Sequence, residues 1–583
     1  MNLSIDILRA CPLFTSLNDN ELSLIFDKLK KIELKEDEVL FRENDVDNAL
    51  FILVSGRLVV YTEKKDIQHV IGFVRPGEVA GELSLFSNEP RAASIKAKDH
   101  STLLCLKKSD FQSLCTSHPQ LLWEISSIIA ARCQLNIKRT KEYKPQIIAF
   151  LCIDDPDTLN SLISEIKNND LKKLKLNIVE TGKLKDSKSI HNSFKHAITQ
   201  DHTALFFINY DALSTDEELL KIPEKVIFVM NERKDLESKT KSKIENILKI
   251  KGLDKELLLV HKKKAPWHPN TQQYLDLLQA SRCYHTSFDA PITISRVLRF
   301  ISGKAVGLVV SGGGAKGWAA VGAIRALYEK NIQFDYVAGT SIGAVLAALF
   351  AFSNDLEDFN RYLTTYESRP FSIRTFTLPF FSIFNGKNET QKLRAIFHEA
   401  KIQDLTLPYF CITTNLSTYQ EDVWDEGFIW KAARASSSPP LLLPPLIDNA
   451  QIHVDGGVIN NFPTDIMRNK LGHHGYIVGI DIGEYAHDPH EYDCPPFLTF
   501  SEALKSLLGI SKEKLDCIGI GEIILRTMST GSSNRYAQNY KNVDFLIQPP
   551  VKGFSFTDFT KKEALIAEGY REGTKRLKTW KEL

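Results

Sequence analysis

The stretch FDYVAGTSIGAVLAALFAF, residues 334–352, changes character at a single position. Before Ser341, FDYVAG has the short apolar pattern of a buried strand; after it, GAVLAALFAF has the length and alanine content of a helix. Ser341 therefore falls where a strand turns into a helix, between Gly339 and Gly343, and the missing side chains on either side let the chain bend tightly. A turn of this kind holds a serine hydroxyl in a strained, accessible pose suited to a nucleophile. Gly-x-Ser-x-Gly alone recurs by chance in βα turns, so the rest of the chemistry has to be found nearby.

Attack on an ester carbonyl creates an oxyanion, which preorganised backbone N–H groups stabilise. SGGGAKG (residues 311–317) follows the apolar run AVGLVV and leads into a helix at Trp318. Gly312, Gly313 and Gly314 can turn their amides toward one point and form a candidate oxyanion hole. The spacing misses both common phosphate-loop patterns, because Lys316 falls inside the loop. Two kinds of base remain open at this level. One is a histidine in the order serine, acid, histidine, from His473, His474, His487 or His490. The other is a carboxylate acting directly on the serine: QIHVDGGVINNFP (residues 451–463) places Asp455 at the end of a short strand before two glycines. Such an aspartate has to be desolvated to gain proton affinity.

The surrounding chain has 583 residues, 43% hydrophobic and 25% charged, enough for roughly three to four domains. Its formal net charge of +1 provides no long-range field for nucleic acid, so no nucleic-acid partner is expected. The nine cysteines are scattered without a CxxC pair, which points to buried thiols in a reducing compartment and to no metal site. No signal sequence or membrane-spanning apolar run is recognisable. The expected location is cytoplasmic, with transient contact at a membrane surface.

Residues 1–138 read as a small β-barrel with an exit helix. ALFILVSGRLVVY (49–61) is a strand broken by Gly56, HVIGFVRPGEVAG (69–81) is another with a Pro-Gly turn, and a long amphipathic helix covers 119–139. That helix is compatible with a homodimer and equally with internal packing. A polar linker follows. In residues 146–300, apolar runs IIAFLCI, LKLNIV, TALFFINY, KVIFVM and LLLVH alternate with polar helical stretches, the pattern of a Rossmann-like α/β domain with a parallel sheet. It has no glycine-rich phosphate loop, and its basic HKKKAPW segment (261–267) reads as a solvated loop. Residues 301–583 form the third, α/β hydrolase-like domain. Within it SRPFSIRTFTLPFFSIFNGKNE (368–389) is dense in phenylalanine, at Phe371, Phe376, Phe380, Phe381 and Phe384, and offers either a lid or ordinary core.

An anion site is readable in GEVAGELSLFSNEPRAASIKA (77–97). Arg91 supplies a guanidinium for two phosphate oxygens, backbone N–H groups at Leu83 and Ser84 can approach the same phosphate, and Glu82 can accept a ribose hydroxyl. This segment resembles the phosphate-binding cassette of cyclic nucleotide-binding domains. The resemblance implies a nucleotide site at Gly81, Glu82, Leu83, Ser84, Arg91 and Ala92. Alanine after the arginine implies cyclic AMP, where threonine would imply cyclic GMP.

GGGAKG, GTSIG and DGG, in that order and with RASSSPPLLLPP (434–445) between the last two, resemble patatin-like phospholipases. The neuropathy target esterase branch, which also joins nucleotide-binding-like modules to the lipase, is the nearest likeness. It implies a Ser341–Asp455 dyad, an oxyanion hole at Gly312, Gly313 and Gly314, no catalytic cofactor, and a phospholipid or lysophospholipid substrate. His453 is then expected to pack or hydrogen-bond. The expectation is a cyclic-nucleotide-regulated lipid acyl hydrolase; the alternatives are a nucleotide-sensing lipid-binding scaffold and a constitutive esterase with a vestigial sensor.

Overall fold

In the computed structural model the chain divides into two compact units, residues 1–262 with 273–288, and residues 263–272 with 289–583. The structure describes residues 18–46, 49–64, 67–74, 76–81, 90–91, 93–117, 147–153, 156–179, 203–210, 223, 225–232, 254–367, 376–377, 382–472, 474–483, 539–554 and 558–580, with isolated positions elsewhere. The expected exit helix at 119–139 and the linker after it lie outside these residues.

The first unit opens with two antiparallel four-stranded sheets. One runs Lys30–Leu34, Ser101–Lys107, Ala49–Ser55, Val79–Ala80; the other runs Val39–Phe41, Ser94–Ala97, Leu58–Lys64, Ile67–Val74. Inward residues of both, among them Phe41, Phe51, Leu53, Leu58, Ile95 and Leu103, build one core. The run 49–61 becomes two strands because Gly56 takes φ +92°, where a Cβ would lie 2.3 Å from Ser101 Oγ. The chain crosses there from one sheet to the other: Ala49–Ser55 pairs with Ser101–Lys107, and Leu58–Lys64 pairs with Ser94–Ala97.

The same unit carries an all-parallel sheet of six strands, in the order Leu176–Val179, Thr203–Asn209, Ile147–Cys152, Lys225–Asn231, Asp254–His261, Cys283–Ser287. The first five are the apolar runs read from the sequence. The sixth carries Tyr284, His285, Thr286 and Ser287, all buried. Their polar groups are satisfied sideways: Tyr284 Oη donates to Glu256 at 3.0 Å, and His285 Nδ1 meets His261 Nε2 at 2.9 Å. Of the HKKKAPW segment, His261 ends a strand and Lys262, Lys263 and Lys264 are exposed.

The second unit is built on an eight-stranded mixed sheet. Its order is Leu446–Asp448, Gln451–Asp455, Tyr409–Asn415, Tyr336–Thr340, Val306–Val310, Tyr476–Ile480, Phe545–Ile547, with Gln420–Trp424 paired outside this path to Tyr409–Asn415. The four central neighbours run parallel, whereas Gln451–Asp455 is antiparallel to Tyr409–Asn415. Strand 336–340 and helix Ile342–Ala351 meet at Ser341, and that helix is buried on nearly every side, as an apolar helix without a polar face requires. Helix Pro291–Ile301 is fastened to the same unit by Arg299, which donates to Asp335 at 2.6 and 2.8 Å, while Asp335 also accepts from the Val306 N–H. Among the described residues no helix is long and apolar enough to cross a membrane. Cys105, Cys152 and Cys411 are buried, as expected for small core residues.

Candidate active site

Parallel strands carry their C-terminal ends to one edge of the sheet, and the site is assembled there. Ser341 takes φ 56° and ψ −129°, a strained conformation for a residue with a side chain. The two glycines of the turn explain how it is held. A Cβ on Gly343 would lie 2.3 Å from the Val310 carbonyl oxygen, and one on Gly339 would lie 2.3 Å from the Gly343 backbone. Strand and helix are therefore in main-chain contact, and the bend has no slack. Ser436 adds a clamp: its Oγ accepts the Ser341 N–H at 3.1 Å and donates to Ile412 O at 2.7 Å.

Asp455 arrives from the antiparallel neighbour strand. Its Oδ2 accepts the Ser341 hydroxyl at 2.6 Å, and its Oδ1 accepts the Gly457 N–H at 2.8 Å. The main chain is fixed on both sides, the Asp455 N–H donating to Ser438 O at 2.9 Å and Asp455 O accepting from Thr414 Oγ1 at 3.0 Å. Gly456 is needed for space, since a Cβ there would lie 2.2 Å from Ile412 O, and Gly457 is closely flanked, a Cβ there lying 3.0 Å from Asp455 Oδ1. Burial, opposed by the Ser341 and Gly457 hydrogen bonds, raises the Asp455 carboxyl to about 7. A carboxylate of that basicity can exchange a proton with a serine hydroxyl near neutral pH.

Of the histidines, His453 Nδ1 contacts Thr413 Oγ1 at 3.2 Å and its ring packs edge-on against Trp424. Burial holds it below its ordinary value, against the field of Asp422, whose Oδ2 lies 3.6 Å from Nδ1. Among the described residues no imidazole touches Ser341. His473, His487 and His490 lie outside them.

The glycine loop is more differentiated than its sequence suggests. Gly312 donates its N–H to Asn461 O at 3.2 Å, and its carbonyl accepts Asn461 Nδ2 at 3.1 Å. Its amide is thus engaged within the protein, unlike those of Gly313 and Gly314. Gly312 instead provides closeness, since a Cβ there would lie 2.8 Å from the Ser341 Cβ and 2.4 Å from Asn461 Oδ1. Gly313 and Gly314 remain the amide donors on offer: neither N–H bonds to a described residue, and Gly314 begins a short 3₁₀ turn, where such groups stay open. Ser311 anchors the loop, its N–H donating to Ile480 O at 3.0 Å and its Oγ accepting the Ile482 N–H at 2.9 Å.

Ser436 and Asn461 were not singled out by sequence reasoning. The only signals were their places in SSSPP and in the Asn-Asn pair after DGGVI. Of the phenylalanine-rich segment, Phe376 is 54% exposed and its ring lies tilted against that of Phe384, with the centroids 5.0 Å apart. Ile383 and Phe384 donate to the carbonyls of Leu441 and Leu442 at 2.7 and 2.9 Å, which ties the end of this segment to the loop after the serine clamp. Phe371, Phe380 and Phe381 lie outside the described residues.

In the barrel, Gly81 and Arg91 are described, and Glu82, Leu83, Ser84 and Ala92 lie outside the described residues. Arg91 is buried. Its guanidinium donates to Ala49 O at 2.7 Å and Gly81 O at 3.4 Å, and lies 4.1 Å over the Phe41 ring. Gly81, at φ +79°, permits this approach, because a Cβ there would meet Arg91 Nη1 at 2.2 Å.

Residues 308–468 match the family profile of patatin-like phospholipases, and residues 31–118 match that of cyclic nucleotide-binding domains. The chain therefore carries a patatin-like phospholipase domain joined to a cyclic nucleotide-binding domain. Patatin-like phospholipase domain-containing protein 7 of Rattus norvegicus is 23% identical over 94% of this chain and 45% of its own length. Lysophospholipase nte1 of Neurospora crassa is 28% identical over 78% of this chain and 36% of its own length. A patatin-like phospholipase domain-containing protein of Caenorhabditis elegans is 31% identical over 48% of this chain and 21% of its own length. The chain thus spans less than half the length of the curated relatives it matches.

Proposed function

We propose that this chain hydrolyses fatty-acyl esters of phospholipid or lysophospholipid with a Ser341–Asp455 dyad. The observation that carries the reading is the 2.6 Å hydrogen bond from the Ser341 hydroxyl to a buried carboxylate. Ser341 Oγ attacks the acyl carbonyl while its proton passes to Asp455 Oδ2. The amides of Gly313 and Gly314 receive the oxyanion. Collapse expels the glycerol-side alcohol, which takes the proton from Asp455 and leaves an acyl-serine. A water molecule, giving its proton to Asp455, then attacks that ester; collapse breaks the bond between the acyl carbon and Ser341 Oγ, returns the proton from Asp455 to Oγ and releases the fatty acid. Names of relatives containing lysophospholipase support the substrate class. Incubation of the chain with lysophosphatidylcholine is expected to release free fatty acid; no release above a no-enzyme control would contradict the reading.

The base has to be ionised to accept the proton, which fixes the pH dependence. With the Asp455 carboxyl at about 7, kcat/KM should climb roughly tenfold per pH unit below neutrality and level off above about pH 7. Initial rates on a neutral ester between pH 5 and 9 measure this. A profile flat down to pH 5 would mean that a group other than Asp455 takes the proton.

The barrel is proposed to bind cyclic AMP as a regulatory ligand, the phosphate replacing the Ala49 and Gly81 carbonyls on the Arg91 guanidinium while Phe41 keeps its face covered. The nucleotide regulates only insofar as it binds active and inactive arrangements with different affinity. Calorimetric titration is expected to give tighter binding of cyclic AMP than of cyclic GMP, and a loss of binding of roughly tenfold or more in Arg91→Ala. Equal affinity for the two nucleotides would overturn the cyclic AMP assignment. The reading includes a cytoplasmic chain in transient contact with a membrane, supported by the exposed side chains of Phe376, Leu441 and Ile447.

A further inference from the structure

A groove of about 440 Å³ opens in the second unit between the start of helix Lys387–Phe397 and the loop that follows the serine clamp. Its lining includes Lys387, Arg394 and Arg434 and no carboxylate. Arg434 forms the floor. It is 3% exposed, its Nη1 contacts Ser438 Oγ, its Nη2 donates to Pro444 O at 3.3 Å, and its Nε has no hydrogen-bond partner. Among the described residues no acid lies within ion-pair reach of Arg434, Lys387 or Arg394. Glu389, whose field reaches Arg434, is paired with Lys392 at 3.1 Å. Arg394 lies over the Trp430 ring at 4.1 Å, which holds its fork at the mouth of the groove.

A buried cation whose nearest acid is already paired with another cation remains costly unless an anion completes it. Gly386 keeps the floor open: at φ +69° it stands where a Cβ would fall 2.4 Å from Arg434 Nη2. The helix that starts at Lys387 also directs its positive end here. We propose that this groove is a binding site for the phosphate of a phosphate ester, gripped by Arg434 from below and by Lys387 and Arg394 from the rim. The volume suits such a group with part of its glycerol. Ser438 links the floor to the proposed base, since its Oγ touches Arg434 while its carbonyl accepts the Asp455 N–H at 2.9 Å. Ile447, 68% exposed, gives the groove an apolar edge. Resting on the lipid-hydrolase reading for its biological meaning, the assignment makes the groove the headgroup site of an acyl substrate or of the surface that presents it.

The test reads binding, so it fails separately from catalysis. Full-length protein carrying Ser341→Ala, with and without Lys387→Gln and Arg394→Gln, is titrated with glycerol 3-phosphate. The same proteins are floated with phosphatidylcholine vesicles containing phosphatidic acid or diacylglycerol. These two rim positions are exposed, and circular dichroism checks that the variants fold. The expected result is saturable binding to a phosphate-ester probe, weakened at least roughly tenfold by the two substitutions. Binding to glycerol 3-phosphate alone would assign the site to soluble esters, and binding to phosphatidic acid vesicles alone would assign it to membrane headgroups; either supports the site. No binding to either probe, or binding unchanged by the two substitutions, overturns it.

Discussion

Ser341→Ala and Asp455→Asn are each expected to lower kcat for ester hydrolysis by about 10⁴-fold or more, and the double variant to lose scarcely more than either single one. The two groups act on one proton, so removing either leaves the other without a task. Their effects on stability should differ. Keeping a carboxyl buried, with its value raised from the ordinary 3.8 to about 7, costs the folded state about 4 kcal/mol once the pH exceeds that value. The sign follows from proton binding: between these two values the folded chain holds a proton that the unfolded chain has released, so stability falls as pH rises through this window. The amide that replaces the carboxyl in Asp455→Asn carries no such charge. That variant is therefore expected to be more stable than the parent by ~1–3 kcal/mol at pH 8, allowing for the weaker hydrogen bond of an amide, with the gain shrinking as pH falls from 7 toward 4. Thermal or urea unfolding at several pH values measures this. An inactive variant with an unchanged pH dependence of stability would mean that Asp455 is not the raised carboxyl.

Gly343→Ala should be nearly as damaging through geometry alone. The added methyl group would stand 2.3 Å from Val310 O and 2.5 Å from Ser311 O, both main-chain atoms of a central strand and of the glycine loop. Neither can swing aside as a flexible side chain does. The helix has to lift from the strand and take Ser341 with it, away from both Asp455 and the amides of Gly313 and Gly314. A displacement of about 1 Å at a reacting atom costs roughly 10²-fold in rate. Overpacking at such a contact also costs ~1–3 kcal/mol of stability. Steady-state kinetics with unfolding curves measures both, and near-parental activity would mean that the bend at Ser341 is looser than these contacts require.

Where side-chain chemistry announces the structure, the sequence was readable. The apolar runs of the parallel sheets, the strand-to-helix change at Ser341 and the glycines on either side of it belong to this class. Cys283–Ser287 escaped because its buried residues are polar and are satisfied by neighbours on an adjacent strand, a compensation that periodicity does not register. The glycine loop shows a different limit. Three adjacent glycines look equivalent in sequence, yet Asn461, about 150 positions later, claims the amide of Gly312 and leaves its neighbours open. Ser436 is a similar case: a serine in a serine-rich run becomes a clamp on the Ser341 amide only because a helix end and a strand end converge. Arg434 reads in the sequence as part of a motif, and its place as a buried cation with no acid in ion-pair reach among the described residues appears only once its surroundings are known.

The most direct trial of the proposed chemistry is to treat the full-length chain with a fluorophosphonate ester and map the adduct by peptide mass spectrometry. Attack by Ser341 Oγ forms a phosphorus–oxygen bond, expels fluoride and passes the hydroxyl proton to Asp455. The expected result is one phosphonyl group on Ser341, and none at that residue in Asp455→Asn over the same interval. Modification of a different residue, with Ser341 intact and ester hydrolysis abolished, would contradict the account.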